Sequence, residues 1–251
     1  MHFGWRLIAG ALRACAMIGV LVAPTALAYD WPQFGGDAAH SGLNNSETRI
    51  SSSNVASLAQ QYVVTLPGTV DGAPVFLDNS SLALGGKDLL FFTTRDGRIL
   101  AYDRFGAQVW AKQFGPGSCK INNGGTTCYT TSSPAIDPNR QYVYTYGLDG
   151  FVHKLQVADG VEIIGGGWPQ LATAKPYDEK GSSALAIASS GATSWLYVVH
   201  SGYPGDNGDY QGHVTAIDLT TGAQNVFNAA CSNIAQHLQH LGGGGSPTCA
   251  P

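Results

Sequence analysis

A few groups of side chains in this 251-residue chain sit at spacings that invite a chemical reading. Asp206-Asn207-Gly208-Asp209 places three side-chain oxygen donors in four residues, which suits a hard cation such as calcium. The stretch lacks the bidentate Glu and the spacing of an EF-hand loop, so an Asx-rich turn at a hairpin tip is the simpler reading. His237 and His240 stand three apart and would share a helix face, but no third ligand lies near, and a solvated segment explains them as well. Ser132-Ser133 and Ser182-Ser183 offer hydroxyls without a G-x-S-x-G elbow around either pair; they read as residues that open inner strands. Beyond residue 28 the only glutamates are Glu47, Glu162 and Glu179, so candidate general bases are few.

The cysteines point to structure rather than catalysis. Cys119, Cys128, Cys231 and Cys249 form an even set of four, open to three connectivities. Each local pair, Cys119–Cys128 and Cys231–Cys249, brackets one Gly/Asn-rich loop, and this is the pairing expected. No C-x-x-C spacing suggests zinc, and no C-x-x-C-H suggests covalently attached c-type haem.

The elements that must position these residues form a repeat. Asp96-Gly97 opens an alternating run to Asp103 and a turn at Gly106. Asp149-Gly150 opens a second run towards Gly160, and Gly212 opens a third through Asp218 to Gly222. Strands joined through Asp-Gly are a strong hairpin signal. The first unit reads as strands over 69–76, 88–94, 98–103 and 108–114. The second reads as 133–137, 142–146, 151–157 and a weak fourth strand at 162–164; the third as 183–188, 195–200, 213–218 and 224–227. Four strands per unit make a propeller blade, and one such unit cannot bury its apolar faces alone. The units occupy about 69–115, 129–165 and 181–227. Insertions at 116–131, 165–180 and 201–211 give loops where propeller function usually lies.

The first 28 residues read as a cleaved signal peptide: Arg6 and Arg13, an apolar stretch from Ala14 to Ala23, and an Ala26-Leu27-Ala28 box. The apolar stretch falls short of the ~20 residues a membrane span requires. Taking Arg6 and Arg13 from the 13 basic residues leaves 11 against 17 acidic, a net charge of −6. With no Lys/Arg run, nucleic acid and anionic membranes are poor partners. Residues 29–68 form an N-terminal lead-in, and 228–251 a Gly/His-rich tail that is truncated or begins another blade.

The lead-in Asp30-Trp31-Pro32-Gln33-Phe34-Gly35-Gly36-Asp37, with His40-Ser41-Gly42 and Asn54-Val55-x-x-Leu58, resembles the N-terminus of pyrroloquinoline quinone (PQQ) dehydrogenases and their cofactor-free relatives. The repeat is similar to that family's tryptophan-docking motif, Ala-x-Asp-x-x-Thr-Gly-x-x-x-Trp. Ala216, Asp218, Thr221 and Gly222 match in register, with Val226 at the tryptophan position. Ala101, Asp103, Gly106 and Trp110 match with one residue deleted, and the copy around Asp159-Gly160 is degenerate. Trp31, Trp110, Trp168 and Trp195 accordingly read as blade-packing aromatics rather than a ligand cage.

The resemblance implies an all-β fold, a partial β-propeller of quinoprotein type with about three to four four-stranded blades. In the family, PQQ and calcium are cofactors. Here no Glu/Asn/Asp set matches the calcium ligands and the vicinal Cys-Cys pair is absent, so the cofactor-binding residues stay unknown and no catalytic residue is assigned. The expected protein is an exported, periplasmic or secreted PQQ-like repeat protein that binds or scaffolds without catalysis of its own. A protein or small-molecule ligand would sit on its loops, or its own further C-terminal blades would be its partner. The alternatives are the N-terminal part of a PQQ-dependent alcohol-type dehydrogenase, with PQQ and calcium in the full-length protein, and an outer-membrane protein assembly scaffold.

Mass spectrometry of protein recovered from the producing cell is expected to show a chain starting at about Tyr29. A soluble cytoplasmic product retaining Met1 overturns export.

Overall fold

Short runs of alternating apolar and polar residues, punctuated by Asp-Gly and Gly turns, favour antiparallel strands joined by tight hairpins. The computed structural model describes residues 29–78, 86–116, 119–122, 126–203, 209–239 and 249. Its first sheet is β1 (Val75–Leu77), β2 (Leu89–Thr93), β3 (Arg98–Asp103) and β4 (Gln108–Gln113), paired in chain order. The second is β5 (Ala135–Ile136), β6 (Tyr142–Tyr146), β7 (Phe151–Gln156) and β8 (Gln170–Leu171). In the third, β9 (Glu179–Gly181) joins β11 of the run β10 (Ala186–Ser190), β11 (Thr193–Gly202), β12 (His213–Asp218) and β13 (Gln224–Asn228). Every ladder is antiparallel. The chain is therefore all-β, with three propeller blades among the described residues.

Two expected strands fall elsewhere. The first inner strand begins at Val75 rather than Thr69, because Pro74 has no N–H and Ala73 gives its N–H to the Ser133 hydroxyl at 2.8 Å. The weak fourth strand at 162–164 is replaced by β8. Glu162 makes only an isolated bridge to Leu155, and Gly165, Gly166 and Gly167, all at positive φ, carry the chain on before it can pair.

The motif aspartates act as turn caps. Asp103 Oδ1 accepts the N–H groups of Phe105 and Ala107 at 3.0 and 2.9 Å, and Asp218 Oδ1 those of Thr220 and Thr221 at 2.8 and 2.9 Å. These bonds hold the Asp218 carboxyl below its ordinary range, those from Thr221 and Thr220 most of all.

Blades stack face to face. Val75, Leu77, Leu89, Phe91, Ile99 and Ala101 of the first bury against Ile136, Val143, Leu155 and Val157 of the second. Trp110 closes this seam: its ring packs 5.6 Å from Phe91, and its Nε1–H donates to the Val157 carbonyl at 3.0 Å. A Cβ on Gly160 would come within 2.7 Å of the indole, so only glycine fits that turn. The second seam buries Tyr144, Tyr146, Val152 and Trp168 against Leu185, Ile187, Leu196, Val198 and Ile217. Trp168 packs 5.1 Å from Tyr144. A Cβ on its neighbour Gly167 would meet Gly222 of the third blade's turn at 3.3 Å. Trp168 thus fills for blade two the packing place that Trp110 fills for blade one, although its Nε1 finds no protein acceptor and it lies outside the motif spacing.

Trp110→Ala is expected to lower unfolding stability by about 3–5 kcal/mol, by loss of buried area, a cavity and an orphaned carbonyl. Phe105→Ala, at a side chain 73% exposed, should change it by less than about 0.5 kcal/mol. Urea unfolding of the two variants separates them.

Candidate functional site

The lead-in segment crosses the axis on which the inner strands converge, touching a different blade with each residue. Trp31 exchanges two backbone hydrogen bonds with Phe76 of β1, both 2.9 Å. The Pro32 carbonyl accepts from Ile136 N of β5 at 2.8 Å. The buried Gln33 amide stands in for a peptide group: its Oε1 accepts from Ile187 N at 2.6 Å and its Nε2 donates to Ile187 O at 3.2 Å. At its start Arg140 bridges the Asp30 and Asp78 carboxylates at 2.5 and 2.6 Å.

Beside this crossing lies a cavity of about 540 Å³. The ladders pair Val75, Ala135 and Ala186 with the equivalent second-strand residues Phe91, Tyr144 and Tyr197. Four residues earlier in each blade stand Asp71, Thr131 and Ser182, and all three line the cavity. Ser133 and Ser183 add hydroxyls, while Phe34, His40, Tyr197 and Val199 supply walls. Phe34 and His40 meet edge to face at 5.5 Å. The Asp71 carboxylate is 3.4 Å from Arg95 Nε, and that guanidinium lies 4.4 Å over the Tyr129 ring, with Lys180 4.8 Å from the same ring. Thr131 Oγ1 donates to Ser182 O at 3.3 Å, Ser183 Oγ accepts from Val199 N at 3.0 Å, and Ser182 Oγ is buried without a protein partner. Such a site can donate to and accept from a polar ligand. Among the described residues no lining hydroxyl bonds to His40 or Asp71, so no nucleophile–base pair is set up.

Cys119 is bonded to Cys128 and Cys231 to Cys249, with Cα separations of 5.5 and 5.6 Å. The first pair packs with Ile121, Leu148 and Tyr203, clamping the loop between the first two blades onto the hairpins of the second and third. Asp206, Asn207 and His240 lie outside the described residues. Asp209 instead meets a lysine: Lys175 Nζ donates to its carbonyl at 2.7 Å and lies 3.5 Å from its Oδ2. Among the described residues no three His, Cys, Asp or Glu side chains gather where they could hold a metal ion.

One cluster escaped the sequence reading. Between blades two and three His200 stacks on His213, ring centroids 4.8 Å apart, and His237 meets His213 edge-on at 5.4 Å. Both ring nitrogens of His213 face carbonyls, Gln211 O at 3.0 Å and Ala172 O at 2.8 Å. Glu179 Oε2 lies 3.7 Å from His213 Nδ1. Lys175 Nζ, 3.5 Å from Glu179 Oε1, completes a buried ionic group. Positions 200, 213 and 237 follow no spacing; from the sequence only His237 stood out, paired with His240 rather than with these two.

Burial, then the neighbouring His213, pushes His237 down to about 4, and burial pushes His200 well below its ordinary value. In the unfolded chain both take a proton near 6.5, so folding excludes protons the unfolded state binds. Stability is full above pH 6.5 and falls as the pH drops towards 4. Thermal unfolding across that window should show the decline, with a shallower slope in His237→Asn, where His200 alone remains. An unchanged slope overturns the assignment.

No family model and no curated protein matches the sequence. Among solved structures, the fold is similar to quinohemoprotein alcohol dehydrogenase ADHIIG from Pseudomonas putida HK5, at TM-score 0.56 and 18% identity, covering 80% of this chain and 26% of that one. It is also similar to the quinohemoprotein alcohol dehydrogenase from Comamonas testosteroni, at TM-score 0.53 and 20% identity, covering 80% of this chain and 27% of that one. This chain spans about a quarter of the length of those enzymes. At such identities the likeness is one of fold alone: the chain's blades are those of a β-propeller.

Proposed function

We propose that this chain is an exported binding scaffold of the PQQ-like propeller kind, without catalysis of its own. The observation that carries this reading is the axial cavity, lined at equivalent positions by all three blades with Asp71, Thr131 and Ser182. Its single acidic lining residue, Asp71, is already engaged by Arg95. Calcium prefers several convergent oxygen ligands, carboxylates among them, and this donor set does not fit it. PQQ is an anion, and no Lys or Arg lines the cavity to meet it. Two disulfides suit an oxidising compartment, periplasmic or outside the cell. Ligand or protein partner would bind through the cavity and the loops around it.

A second reading is favoured by the likeness to the alcohol dehydrogenases: the three blades are the N-terminal part of a PQQ-dependent enzyme, whose further blades would bring the ligands missing here.

Isothermal titration of the purified chain with PQQ and calcium is expected to show no tight binding, and a dye-linked assay no alcohol oxidation. Micromolar binding with turnover overturns the scaffold reading and favours the enzyme.

A further inference from the structure

A second hollow, of about 360 Å³, opens next to the axial cavity. Two stretches of chain run from one to the other. Thr69 lines the second hollow and Asp71 the first; Tyr129 lines the second and Thr131 the first. The boundary is the Asp71–Arg95 pair, 3.4 Å apart, with the acid lining one hollow and the base the other. Both volumes fall in the ~300–1,000 Å³ range of ligand sites.

The charges along this trough are already met. Arg95 has Asp71 and the face of Tyr129, Lys180 lies over the same ring, and Asp96 has Arg98 at 3.0 Å. A charged ligand would have to displace one of these partners, and a neutral one would not. What stands open is of two kinds. The Phe34 and Tyr197 rings of the axial cavity are 47% and 37% exposed. Thr69 and Thr127 bring exposed hydroxyls to the second hollow. An extended peptide gains most by adding to a strand edge, but at the crossing the inner strands are already paired with Trp31, Pro32 and Gln33.

We propose that this trough binds a short neutral oligosaccharide, with one ring against Phe34 and Tyr197 and the next beyond the Asp71–Arg95 pair, beside Thr69 and Thr127. A sugar ring offers an apolar C–H face to an aromatic side chain. Its rim of hydroxyls, each both donor and acceptor, suits threonine, carboxylate and guanidinium alike. The Asp71–Arg95 pair keeps lone pairs and N–H groups for such a rim without being broken. This assignment rests on the scaffold reading and names the class of its ligand.

The purified, oxidised chain is screened on a printed array of linear glucans, mannans, xylans and galactans, with polyuronates alongside. The best-bound neutral trisaccharide and its monosaccharide unit are then titrated by calorimetry. Neutral glycans are expected to bind and polyuronates not. Tyr197→Ala should weaken both sugars about tenfold by removing an aromatic wall. Thr127→Val, which removes a hydroxyl and keeps the shape, should weaken the trisaccharide about fivefold and leave the monosaccharide unchanged. Far-UV circular dichroism of both variants should match the parent. An array without neutral binders, a preference for polyuronates, or trisaccharide binding indifferent to both substitutions overturns the assignment. The scaffold reading falls separately, through PQQ and calcium binding with turnover.

Discussion

The arrangement of the blades depends on Trp31-Pro32-Gln33. Three inner strands converge on one axis, and each brings an edge of backbone groups that must be paired. One extended tripeptide serves all three, through Phe76, Ile136 and Ile187. Pro32 fits because only its carbonyl is used, so its missing N–H costs nothing there. Gln33 reaches the third strand with its side chain, because the backbone at that point is already turning towards the positive φ of Gly35 and Gly36. Removing that amide would leave the N–H and C=O of Ile187 buried and unpaired, a cost of about 1–3 kcal/mol for each group. The Arg140 bridge between Asp30 and Asp78 fixes where the crossing begins, so the blade angles and the cavity are set together.

Beyond that crossing, the two seams solve one packing problem by different chemistry. The first is aliphatic and aromatic, closed by an indole whose N–H reaches a backbone acceptor. The second has an apolar half around Tyr144 and Trp168 and a polar half around Glu179, Lys175 and His213. Buried charges stabilise only when their partners and remaining hydrogen bonds are in place. Here they are: Thr173 Oγ1 donates to Glu179 Oε2, Gln211 N donates to Oε1 at 2.9 Å, and Lys175 reaches Gln211 Oε1 at 2.5 Å. The network ties the loop before β9 to the loop before β12, so two long insertions are anchored by ions where no strand pairs them.

How much of this was legible follows from which signals are local. β3, β6 and β12 fall on the expected residues, since period-two alternation and the Asp-Gly turns are written within a few residues. The caps of Asp103 and Asp218 and the wedge of Trp110 belong to a motif with fixed spacing. Trp168 packs in the corresponding place, without Trp110's N–H bond, but arrives after a three-glycine detour that breaks the spacing. The histidine column and the crossing of the lead-in are assembled from distant residues, and no periodicity announces a side chain that replaces a strand. The cavity lay half in view: the serine pairs read as openings of inner strands, but their meeting with Asp71, Phe34 and Tyr197 is a property of three blades together.

That shared origin also constrains the groups along the axis. Each blade contributes the same few positions, and those positions serve the packing first. Ala73 needs the Ser133 hydroxyl, and Val199 the Ser183 hydroxyl, so these oxygens are partly spent on holding strands in place. A Cβ on Gly72 would come within 2.7 Å of the Ser132 carbonyl, so that position has no room for a side chain able to act. What remains to a ligand is the Asp71 carboxylate paired with Arg95, His40 and the aromatic walls. These groups can orient a bound molecule. Packing thus decides which side chains along the axis are left to face a ligand, and loops or another blade would add to that set.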